Sequence, residues 1–142
     1  MTMTTRAGKI AKSGQPREAR YRRLTWATAF ALAMGMVVQA ATLIVDAIPL
    51  IRGQVAPNAS YGFRTPKTMS NAAHWYAANA FSGRATIVAC VVVIGLAIVL
   101  VVQTKDRRVG VLRVLLRGFI YDIVPLVLLV LTLLIYDWSS AP

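Results

Sequence analysis

The sequence predicts an all-α integral membrane protein with three transmembrane helices. Three observations carry that reading. The chain contains three apolar runs, two of them uncharged and the third interrupted only by Asp122, each long enough to cross a bilayer. Its hydrophobic fraction is 57%, high for a water-soluble domain of this size. Its basic residues flank the apolar runs instead of gathering on one polar face. With 142 residues there is room for one domain, so residues 24–142 are read as a single membrane domain behind a basic tail, 1–23.

The formal net charge is +11, from 16 basic and 5 acidic residues. A small, strongly basic protein can bind nucleic acid, but phosphate contacts need a continuous basic surface. Interruption of the bases by apolar spans points instead to a lipid bilayer with anionic headgroups, and no nucleic-acid partner is expected.

Residues 1–23 carry Arg6, Lys9, Lys12, Arg17, Arg20, Arg22 and Arg23 against Glu18 alone. Gly8, Ser13, Gly14 and Pro16 predict a disordered or weakly held first half, with a helical turn from Arg17 leading into the membrane.

From Leu24 to Val45 no residue is charged. At ~1.5 Å per residue this run covers ~33 Å, enough for a hydrocarbon core of ~30 Å. Val38-Gln39-Ala40 resembles a signal-peptide cleavage site, but the run is long for a signal sequence, and an uncleaved first span (about 24–46) is expected. Ala27, Ala31 and Gly35 recur every four residues and predict a stripe for close helix packing. Asp46 ends the run. It reads either as an interfacial acid or as the partner of Arg52 or Arg84.

The segment 47–84 holds most of the Asn residues and the single histidine, His74. Pro57-Asn58 and Tyr61-Gly62 are turn signals. Pro66 pushes Thr65 toward extended geometry. Thr68 or Ser70 can then cap a short helix from about Asn71 to Ser82, ending near Gly83. Its Trp and Tyr suit the headgroup level; alternatively the helix runs on into the next span.

Ala85 to Val102 is the second span and Gly118 to Tyr136 the third (118–136), separated by a polar turn with Lys105, Arg107 and Arg108. Arg113 and Arg117 share a helix face and can snorkel to headgroups. Pro125 predicts a kink. Asp122 sits about one turn inside the third span. It reads either as part of an ion or proton site or as the partner of Arg113, Arg117 or another base. Asp137 and Trp138 follow at the interface.

The single cysteine, Cys90, allows no intrachain disulfide and sits in an apolar run. No carboxylate or thiol stands at metal-ligand spacing from His74, so neither a metal nor a cofactor is expected. No Ser/His/Asp order and no phosphate loop is present, so an enzyme is not expected. With the N-terminus inside, twelve bases face the cytoplasm: the seven of the tail with Lys105, Arg107, Arg108, Arg113 and Arg117. Four face outward: Arg52, Arg64, Lys67 and Arg84. The positive-inside rule therefore predicts an N-in, C-out chain with segment 47–84 outside.

Within that segment, Pro57-Asn58, then Tyr61-Gly62-Phe63-Arg64-Thr65-Pro66, then Thr68, Asn71, Trp75, Asn79 and Gly83 resemble the SdpI family of bacterial membrane proteins. The resemblance rests on a G-[IF]-R-T-P-x-T block followed by an Asn or acidic residue, a Trp, an Asn or His, and a Gly. It implies a small, non-catalytic protein of the bacterial inner membrane, with a role in immunity to a secreted toxic peptide and in signalling to a repressor. It also implies a short form, because some relatives carry additional helices. The residues offered for ligand or partner binding are Asn58, Tyr61, Arg64, Thr65, Thr68, Asn71, Trp75 and Asn79. Arg64 presents a rigid fork of donors to a carboxylate, a phosphate or backbone carbonyls. Alternatively it locks the loop by capping carbonyls or pairing with Asp46 or Asp137. Trp75 offers a ring face.

Two functions follow. The outward segment senses or neutralises a membrane-active peptide or envelope component, or the chain is a structural accessory subunit of a larger membrane complex. In either case another membrane protein or a peptide is the expected partner. A third reading, an ion or proton carrier, would use the intramembrane candidates Asp46 and Asp122.

Overall fold

The computed structural model describes the backbone of residues 4–106 and 109–139, and the side chains of residues 18–105 and 109–139. It contains three helices: α1 (Thr4–Ile51), α2 (Ala72–Asp106) and α3 (Val111–Ser139). All three are long and apolar enough to span a membrane, the apolar part of α1 falling after Glu18.

Composition predicts a disordered start, yet the backbone is helical from Thr4. Once the apolar span has nucleated the helix, each added residue contributes a hydrogen bond without a further nucleation cost. At its other end α1 runs past Asp46 and Pro49. It stops in a Schellman motif, with Gly53 N–H donating to the Leu50 carbonyl (3.2 Å) and Gln54 N–H to the Pro49 carbonyl (3.0 Å). Gly53 has φ +65°, the left-handed geometry that this cap requires.

α2 joins two predicted elements into one. Its 35 residues cover ~52 Å at the α-helical rise, well beyond the hydrocarbon thickness. The short helix expected from about Asn71 to Ser82 is not a separate element: its residues form the first turns of α2, which continues without a break into the second span. Gly83 does not end it. A Cβ there would lie 2.7 Å from Ile51 Cγ1 and 3.0 Å from the Ala47 carbonyl oxygen, so the glycine permits a close α1–α2 crossing.

The α1–α2 seam is built from small residues. Ala33, Met36 and Ala40 of α1 meet Cys90, Val93 and Ala97 of α2. Nearer the α2–α3 turn, Ala29, Leu100, Val109 and Val114 form a second cluster. The predicted stripe Ala27-Ala31-Gly35 is not the packed one. All three residues are exposed, and nothing lies within 4 Å of where a Gly35 Cβ would sit. The buried face is Ala29, Ala33, Met36, Ala40 and Ala47.

α3 begins seven residues before the predicted third span and buries only Val114, Gly118 and Pro125. Gly118 packs at mid-helix, where a Cβ would lie 3.0 Å from Leu32 Cδ1.

Candidate functional site

The 52–71 connection folds as a cap over the ends of α1, α2 and α3, and each bond in it can be traced to a residue type. Asn58 makes an Asx turn: its Oδ1 accepts the amides of Ser60 (2.9 Å) and Tyr61 (2.7 Å), and its Nδ2 donates to the Ala56 carbonyl (2.8 Å). The Tyr61 hydroxyl then donates to the Asp46 carbonyl near the end of α1. Partial burial, and then the nearby Asp46 carboxylate, push the Tyr61 phenol above its ordinary pKa.

Gly62 turns the chain with φ +103°. A side chain there would run into Asn79 Oδ1 and approach Trp75 Cη2 at 3.3 Å. That absence of a Cβ lets Asn79 clasp the backbone of Phe63. Asn79 Oδ1 accepts the Phe63 amide (2.6 Å), and its Nδ2 donates to the Phe63 carbonyl (3.3 Å) and the Trp75 carbonyl (3.0 Å). Trp75 is wholly buried, and its indole N–H donates to the Val55 carbonyl (2.7 Å). It is the core of the cap, so the ring face expected for a ligand is not open.

Thr65 and Thr68 bond reciprocally in the manner of a capping box. The Thr65 amide donates to Thr68 Oγ1 (2.8 Å) and the Thr68 amide to Thr65 Oγ1 (3.1 Å). The Thr65 hydroxyl donates onward to Asp137 Oδ1 (2.9 Å), and Lys67 Nζ donates to the Asp137 carbonyl (2.9 Å), a cation at the C-terminal end of α3. The N-cap of α2 is Asn71 itself, whose Oδ1 accepts the His74 amide (2.8 Å), in place of the expected Thr68 or Ser70. Beneath the cap, Phe81 and Tyr136 stack with centroids 4.1 Å apart, tying α2 to α3.

The cap brings the eight predicted residues into one structure but assigns them unlike positions. Trp75, Asn79 and Thr68 are buried and hold it together. Asn58, Tyr61, Thr65 and Asn71 shape turns or tie helices. Arg64 is exposed and, among the described residues, makes no side-chain hydrogen bond or ion pair. The lock expected through Asp46 or Asp137 is absent; Asp137 instead accepts the Thr65 hydroxyl at Oδ1 and the Lys67 ammonium at its backbone carbonyl. Arg64 therefore projects from a backbone fixed on both sides, by Phe63–Asn79 and by Thr65–Thr68. Lys67, Asp137 and Val55 complete the cap. Their partners lie too far along the chain for spacing to reveal them.

The intramembrane candidates stay apart. Asp46 is exposed and forms no ion pair with Arg52 or Arg84. Asp122 pairs with neither Arg113 nor Arg117; the latter donates to Gln103 Oε1 (3.2 Å). Asp122 Oδ1 is buried without a hydrogen-bond partner. Among the described residues no group of three or more His, Cys, Asp or Glu could hold a metal ion.

The sequence model of the SdpI/YfhL protein family matches residues 54–136, more than half of the chain. The chain belongs to the SdpI/YfhL protein family. No curated protein and no solved structure matches it. The SdpI/YfhL region begins at Gln54, inside the Schellman motif, and ends at Tyr136, which stacks on Phe81. It therefore includes the cap, α2 and nearly all of α3. Family membership and the three spanning helices make this a multi-pass membrane protein of SdpI type.

Proposed function

We propose that this protein is a non-catalytic protein of the bacterial inner membrane, oriented N-in and C-out. Its cap faces outward and senses or neutralises a membrane-active peptide or envelope component. The observation that carries the reading is Arg64, an exposed guanidinium without an internal partner on a rigidly clasped turn. A fork of donors held in place loses little freedom on meeting a carboxylate, a phosphate or peptide carbonyls. The basic tail would report occupancy on the cytoplasmic side. Cells lacking the protein should become sensitive to such a peptide, and Arg64→Ala should reproduce that phenotype at unchanged protein level. An Arg64→Ala strain as resistant as wild type across membrane-active peptides and envelope stresses would refute the role.

The orientation rests on the twelve-to-four distribution of bases. A Ser60→Cys variant should react with an impermeant thiol reagent in intact cells, Cys90 being buried.

A structural accessory subunit is the second reading. The uncovered stripe of Ala27, Ala31 and Gly35 favours it. Gentle detergent extraction separates the two: stoichiometric co-purification of a different membrane protein supports the subunit, and its absence removes that reading.

A further inference from the structure

We infer that the groove between the start of the α1 span and the end of α2 is a binding site for one anionic phospholipid. The groove lies at the end of the bundle away from the cap and has a volume of about 700 Å³. Its lining includes three cations from two helices: Arg22 and Arg23 of α1, and Lys105 in the last turn of α2.

These cations have no partner within the chain. Among the described residues none of the three forms an ion pair or a side-chain hydrogen bond. No described carboxylate lines the groove, and Glu18, one turn before Arg22, lies outside the lining. The Tyr21 hydroxyl adds a fourth donor. It reaches to 3.1 Å from where a Gly110 Cβ would sit, and it bonds to nothing among the described residues. The two threonine hydroxyls of the groove are instead satisfied by their own helices, Thr25 by the Tyr21 carbonyl (2.8 Å) and Thr104 by the Leu100 carbonyl (2.7 Å). Three like charges around one groove repel one another, and an anion between them offsets that repulsion.

Beyond the cations the wall turns apolar. Trp26 of α1 and Val101 and Val102 of α2 line it. The Trp26 ring is held by stacking on Phe30, with centroids 5.5 Å apart, and both Trp26 and Val102 are about half exposed. The change from cations to apolar wall falls where both helices leave their apolar runs, which is the headgroup level. The groove thus has the polarity of a phospholipid: the arginine forks and the ammonium meet the phosphate, and the acyl chain lies on Trp26 and the valines. A zwitterionic lipid would bring an ammonium that three cations repel and no described carboxylate offsets. A free phosphate would gain nothing from the apolar wall.

Quenching of tryptophan fluorescence by acyl-brominated lipids tests this, using the full chain in phosphatidylcholine vesicles. A Trp138→Phe background leaves Trp26 and Trp75, the latter buried in the cap. Brominated phosphatidylglycerol should quench at a mole fraction about tenfold lower than brominated phosphatidylcholine. Arg22→Gln combined with Lys105→Gln should weaken that affinity about 25-fold, at about fivefold for each base at the surface. The charge-matched pair Arg20→Gln with Arg113→Gln removes two exposed bases outside the groove and should change it less than about threefold. Val102→Phe fills the wall, leaves every charge in place and should weaken binding about fivefold. Added glycerol phosphate should not displace the lipid. Four results would overturn the proposal: equal quenching by the two brominated lipids; equal losses in the two charge-matched pairs, which would mean a diffuse attraction to headgroups; no effect of Val102→Phe; or displacement by glycerol phosphate, which would assign the cations to a soluble phosphate.

Discussion

Asn79 Oδ1 accepts the Phe63 amide at 2.6 Å, joining α2 to a loop residue sixteen positions earlier. The same side chain returns a bond to the Phe63 carbonyl, so one buried amide satisfies both polar groups of a loop peptide as a neighbouring strand would. The clasp fixes the residue just before Arg64. Replacing Asn79 with Leu leaves the part-buried Phe63 amide unsatisfied, at about 1–3 kcal/mol, while the Phe63 carbonyl keeps its bond from the Thr68 hydroxyl (3.1 Å). The melting temperature in detergent should fall, and protease should cut within the loop first. A loop as resistant as wild type would show that the clasp is dispensable.

Gly62 and Gly83 are required for different reasons. Gly62→Ala places a Cβ on a residue at φ +103° and against the Asn79 amide, at a backbone cost of about 1–3 kcal/mol. Gly83→Ala forces α1 and α2 apart, because the Ala47 carbonyl cannot move without its helix. Overpacking of this kind costs about 1–3 kcal/mol. Thermal denaturation should show both losses, while loop proteolysis should rise chiefly for Gly62→Ala.

The Thr65–Asp137 bond spans 72 positions and, with Lys67, fastens the cap to the end of α3. Asp137→Ala should loosen the 64–70 turn by about 0.5–1.5 kcal/mol, read as faster amide hydrogen exchange there. Combined with Thr65→Val, the losses should be less than additive, because both substitutions remove one bond. Strict additivity would mean that the two residues do not interact.

Tyr61 gives the cap a pH dependence with a defined sign. Its pKa is raised in the folded protein, so folding favours the neutral phenol. That contribution is fully present below the unfolded value of ~10 and is lost as pH rises through it toward the folded value. The loop should therefore become more accessible to protease in alkaline buffer above about pH 10. Tyr61→Phe should abolish that step and cost about 0.5–1.5 kcal/mol at neutral pH through the lost bond to Asp46.

Sequence pattern marks some of these features and hides others for identifiable reasons. Pro57-Asn58 and Thr65-Pro66 announce turns because their bonds close within three residues. Trp75 reads as interfacial from its type, yet it is buried, because Val55 supplies a carbonyl twenty positions away. Gly83 reads as a helix end from local propensity. Its actual constraint is the backbone of another helix.

What the sequence by itself determined is the membrane architecture and the order of the cap motif. Partition into lipid depends on the length and composition of each run, and turn chemistry is local. Only the tertiary structure decided which small-residue face of α1 packs inward. Ala27-Ala31-Gly35 and Ala29-Ala33-Ala40 are equally apolar, and the choice depends on which one finds α2. It also decided what Arg64 does within the chain. Asp137 was available to it in sequence, but Thr65 and Lys67 reach that residue, leaving the guanidinium exposed on a fixed turn.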